Sequence, residues 1–111
     1  MALTIGNLYQ GQLGTTVKTL LYTVTTGKAA IVKNIRVVNT DSSARTVNFY
    51  YLRNLGGAVA KQITPVSLSI PVGGLAVFDD ELTMFAGDQI LGDGSIAGKL
   101  DCVISGIERD A

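Results

Sequence analysis

The sequence predicts an all-β protein, an antiparallel β-sandwich, and three observations carry that expectation. Short apolar, β-branched runs meet glycine-centred turns about every ten residues, as in Tyr22–Ile31, Leu68–Val77 and Met84–Leu91. That spacing suits packed sheets and leaves no room for helices between strands. No window of a dozen residues shows a 3.6-residue apolar period, so no amphipathic helix is expected. A chain of 111 residues forms one domain and buries roughly two-thirds of the surface it would expose unfolded, enough for a core of its own.

Residues 1–16 contain three glycines and irregularly spaced apolar residues. They are read as an extended N-terminal arm outside the sandwich domain, which spans 17–111. Leu3, Ile5, Leu8 and Tyr9 are the candidate interface residues of that arm, anchoring it to its own domain or to a neighbouring subunit, because so apolar a terminal segment does not dangle freely. Eight strands follow, at 17–24, 29–40, 45–53, 58–63, 66–70, 75–79, 88–93 and 99–108. In 45–53, Val47, Phe49 and Tyr51 alternate with Thr46, Asn48 and Tyr50, giving one core face. In 29–40, Ile31, Ile35 and Val37 share a face broken by Lys33, and Val32 and Val38 lie opposite; apolar residues on both sides mark a strand covered on both faces. Gly27 supplies a positive-φ residue between the first two strands. Asp41-Ser42-Ser43 closes an Asx-type turn, and Asp93-Gly94-Ser95 is a turn signal. Pro65 and Pro71 bracket 66–70 and confine it to an edge.

Eight strands of this length suit a jelly roll. In that scheme 88–93 lies beside 29–40, and 99–108 lies between 17–24 and 45–53. The scheme also accounts for a charge asymmetry hidden in a net charge of zero. Residues 1–78 hold seven bases and the single acid Asp41, whereas 79–111 hold eight acids and two bases, Lys99 and Arg109. Inserting the late strands between the early ones makes opposite charges neighbours. Asp88 and Asp93 are expected near Lys33 and Arg36, and Asp101 near Lys18 or Arg45.

The composition is poor in reactive groups. There is no histidine, no tryptophan and one cysteine, which removes histidine-based catalytic pairs, imidazole metal ligands and any internal disulfide. Cys102 alternates with Leu100 and Ile104 and is read as a small buried hydrophobe. No phosphate-binding loop occurs, and no cofactor or catalytic residue is assigned. The acidic run Asp79-Asp80-Glu81, with Asp88 and Asp93 further on, has three readings: a solvated turn, a cation site, or a pair of carboxylates for glycoside hydrolysis. Tyr50, Tyr51 and Arg53 are too few, and too well offset by acids, for a nucleic-acid surface. No signal sequence or membrane span is visible. Neither nucleic acid nor membrane is expected as a partner. Only 16% of residues are charged, and charge depletion is what interface cores show, so self-association or docking is expected.

Four motifs in order resemble small virion proteins of tailed bacteriophages. The run from Leu21 to Tyr50 holds the first, Tyr-Thr-Val-Thr-Thr-Gly-Lys-Ala-Ala-Ile, then Asn-Thr, then Thr-Val-Asn-Phe-Tyr. Ile70-Pro-Val-Gly-Gly, Ala86-Gly-Asp-Gln-Ile90 and Val103-Ile-Ser-Gly-Ile-Glu108 follow. The likeness covers 17–108 and departs at Val72-Gly-Gly74, where a polar residue is commoner after the first glycine. It implies a non-enzymatic structural protein of the virion, made in the host cytoplasm. The first expectation is a capsid decoration (cement) protein, a homotrimer bound to the major capsid protein. The alternative is a neck, tail or fibre component, with carbohydrate binding at a host surface.

Overall fold

The computed structural model describes residues 3–56 and 58–110, and only the backbone at 3–5 and 7. Two antiparallel sheets pack face to face. The ten strands are β1 (Leu3–Gln12), β2 (Thr19–Thr23), β3 (Lys28–Asn39), β4 (Arg45–Leu52), β5 (Lys61–Gln62), β6 (Leu68–Ile70), β7 (Leu75–Phe78), β8 (Leu82–Phe85), β9 (Gln89–Gly94) and β10 (Leu100–Asp110). The first sheet runs β1-β10-β3, with β7 and β8 end to end along the far side of β3. The second runs β2-β9-β4, with β5 and β6 along β4.

Each expected strand position carries a strand, and two more strands appear. One is β8. The other is β1, which corrects the reading of residues 1–16 as an arm apart from the strands: Leu3–Gln12 is an edge strand hydrogen-bonded along β10. A register shift between Asn7 and Tyr9 breaks its apolar alternation, which is why the period is not visible in the sequence. Counting from β1 also corrects the expected neighbours. β9 lies between β2 and β4, and β10 between β1 and β3. The insertion of late strands between early ones is therefore present, but each goes into the other sheet. Starting the count at residue 17 shifts the scheme by one strand.

The core lies between the sheets. Val32, Ile35, Val37, Met84, Leu100, Cys102 and Ile104 meet Tyr22, Val47, Phe49, Ile70 and Ile90, and Leu13 and Val24 close the sides. Burying each large apolar side chain contributes about 1.5–3 kcal/mol. Phe49 meets Phe78 edge to face at 5.9 Å. The face assignment within β3 differs from the expected one. Asn34 pairs with Ser105 and Val32 with Gly106, so Lys33 is the extra residue of a bulge. The bulge inverts the phase, and Val32, Ile35 and Val37 all point inward while Ile31 and Val38 point out. Gly106 is required opposite this bulge, since a Cβ there would collide with the Ile31 carbonyl oxygen.

The charge partners also differ. Lys33 meets Glu81 at 2.8 Å and Lys28 meets Asp110, two links between the basic and acidic parts of the chain. Arg45 pairs within its own turn with Asp41 at 2.5 Å. Asp93 accepts hydrogen bonds from the Lys18 backbone N–H and the Asn48 amide, and Asp101 from Gln12. None of Asp88, Asp93 and Asp101 reaches its expected base, because β9 and β10 occupy exchanged sheets.

Candidate docking face

The outer face of the first sheet carries several exposed apolar side chains. Strand register sets it out in rows. Phe85 lies opposite Ala29, and Ala29 opposite Arg109; Thr83, Ile31 and Ile107 form the next row. The polar pair Asn34 and Ser105, with exposed Lys33 at the bulge beside it, comes next; Val77, Arg36 and Val103 follow, then Leu75, Val38 and Asp101. Neighbours within a row stand at the strand spacing of about 4.8 Å. Phe85 is 60% exposed, Leu75 48% and Val77 44%. A shallow depression of about 210 Å³ lies among Ala29, Ile31, Thr83, Phe85, Ile107 and Arg109. The face holds more apolar side chains than a solvated sheet face usually does, with Lys33, Asn34, Arg36, Thr83, Asp101, Ser105 and Arg109 interspersed among them. Exposed apolar side chains set among polar ones suit a contact with another protein.

A second apolar area lies at the β4–β5 connection. Leu55, Ala58 and Val59 join Tyr51 and Ile63 around a groove of about 290 Å³ flanked by Arg53 and Lys61. Beneath it the connection is held by Asp88. This carboxylate is buried and accepts hydrogen bonds from the Tyr51 hydroxyl (2.6 Å), the Asn54 backbone N–H (2.8 Å) and the Phe85 backbone N–H (2.9 Å). Burial pushes its pKa up, but these hydrogen bonds and the nearby Arg53 outweigh burial and hold it below the usual value. The same contact, after burial itself, pushes the Tyr51 phenol up to about 12. Gly87 makes the turn at positive φ (84°) over the Asn54 side chain, a position only glycine fills without strain.

Two of the four interface residues read from the sequence have described side chains. Leu8 and Tyr9 are half-buried and packed on the core. The side chains of Leu3 and Ile5 lie outside the described residues; their backbones sit opposite Arg109 and Ile107. Asp79, Asp80 and Glu81 are exposed at the β7–β8 turn, with Glu81 taken by Lys33. Among the described residues no group of three or more acids, cysteines or histidines converges on one point. Tyr50, on the face of β4 that alternates with the core face, is nonetheless buried beside Asp93, with the Lys18 ammonium 5.4 Å from its ring centre. Cys102 is buried as expected, and burial pushes its thiol up to about 12. The exposed apolar residues of this face were missed because exposed and buried apolar residues look alike in a sequence. The doubled apolar pattern of 29–40 was its one signal.

No protein-family model matches the chain, and no curated protein matches it. What the architecture defines is a class, the two-sheet antiparallel β-sandwich.

Proposed function

We propose that this sandwich is a non-enzymatic structural protein of a tailed-phage virion, most simply a cement protein that docks on the junctions of major capsid subunits. The observation that carries the reading is the set of exposed apolar side chains on the outer face of the first sheet, Leu75, Val77 and Phe85 above all. The ordered motifs across 17–108 supply the virion context. The strand order β1-β10-β3 beside β2-β9-β4 favours a jelly roll, since nested Greek keys produce that alternation. The mechanism is thermodynamic: a ligand that binds only the assembled shell stabilises it by mass action, about 2.7 kcal/mol per site at a hundredfold excess over Kd.

The test uses DNA-free shells of the phage whose capsid gene adjoins this one. Cosedimentation should show saturable binding by the intact protein. The double variant Val77→Lys, Phe85→Lys should fold normally and lose at least tenfold in affinity, because two charges would be buried unpaired in the contact. Shells that stay bare with the intact protein, or that fill equally with the variant, refute the reading.

A further inference from the structure

We infer that the open edge of β1 is a self-association site, which pairs antiparallel with β1 of a second copy. The inference does not rest on the virion reading. Among the described residues β1 pairs with β10 alone, so one side of a 10-residue strand carries backbone N–H and C=O groups without a strand partner. Edges of this length are normally blunted by charge, proline or brevity. The other edges of this fold show those devices. β7 and β8 have 4 residues each and are parted by Asp79-Asp80-Glu81. β5 has 2 residues, one of them Lys61, and β6 has 3, flanked by Pro65 and Pro71 at its approaches. β2 has 5 and follows Lys18 directly. β1, Leu-Thr-Ile-Gly-Asn-Leu-Tyr-Gln-Gly-Gln, has neither charge nor proline and only the bulge after Asn7.

Charge selects the occupant. In a two-fold pair every side chain meets the same strand again, so a charged strand sets like charges against each other. β1 has none to set, and the chain as a whole is neutral, so two copies approach without repulsion. The partner's β1 also matches the open edge in length by construction. Pairing extends the first sheet across the dyad and turns the outward backbone groups of both strands into ladder hydrogen bonds. The product is a dimer, distinct from the trimer that the phage resemblance implies.

Light scattering on the intact protein reads the mass. Twice the 11.6 kDa of one chain is expected. The double variant Gly6→Lys, Gln10→Lys places a charge on either side of the bulge. Both positions are exposed, and a Cβ at Gly6 meets nothing within 4 Å, so its circular dichroism should stay that of the parent while the mass falls to one chain. Amide exchange on β1 gives a second readout: amides turned away from β10 are protected in the parent and exchange freely in the variant. A parent that is monomeric throughout the micromolar range, a trimer, or an oligomer that survives both lysines overturns the inference.

Discussion

Asp88 shows how a single buried charge organises two connections at once. It ties the turn after β8 to the end of β4 through three hydrogen bonds. Asp88→Asn keeps the shape but loses the charge and one acceptor oxygen, and should cost about 1–3 kcal/mol in chemical denaturation. The pH dependence follows from the depressed carboxyl pKa. The unfolded group titrates near 3.8, so its stabilising contribution is complete above that value and disappears as pH falls through the lower folded value. Melting followed from pH 6 downward should therefore be less acid-sensitive in Asp88→Asn than in the parent. Gly106 makes a different demand. Gly106→Ala forces a methyl group into the Ile31 carbonyl at the bulge and should destabilise by about 1–3 kcal/mol, read as a lower denaturation midpoint with unchanged slope.

Strands were legible where alternation was long and unbroken, and illegible where a bulge or brevity intervened. β4 reads directly, because Val47 and Phe49 are fully buried and alternate with half-buried Thr46 and Asn48. β3 reads as a strand but not as to its faces, since the extra residue Lys33 changes the phase partway along. β8 has only 4 residues, hemmed by Asp-Asp-Glu and Ala-Gly-Asp, although Met84 within it is wholly buried. The docking face needed the register itself, because Leu75, Val77 and Phe85 belong to one surface only once β7 and β8 are laid along β3. For β1 the structure changes what a truncation would do. Removing residues 2–12 takes away an edge strand together with the packing of Leu8 and Tyr9. The shortened chain should melt at least several degrees lower and expose apolar dye-binding surface along β10. A truncated chain that melts like the parent would show that β1 adds nothing to the fold.

At the scale of the whole molecule, apolar packing outweighs electrostatics. The two ion pairs that join the basic and acidic parts, Lys28–Asp110 and Lys33–Glu81, are 38–56% exposed by side chain, and pairs so exposed are each worth about 0–1 kcal/mol. Raising sodium chloride from dilute buffer to 1 M, where charges are screened beyond about 3 Å, should leave the melting temperature nearly unchanged; a large drop would mean that charge holds the sheets together. The positions of β9 and β10 carry a further consequence, for the order of events in folding. Each sheet is completed through its middle by a strand, β9 or β10, made after every strand it joins, so neither layer closes until that late strand has been synthesised. Until then β2 and β4, like β1 and β3, flank a gap with nothing between them. Such wiring makes acquisition of the native state slow, in milliseconds to seconds, and leaves the growing chain dependent on whatever shields sticky strands meanwhile.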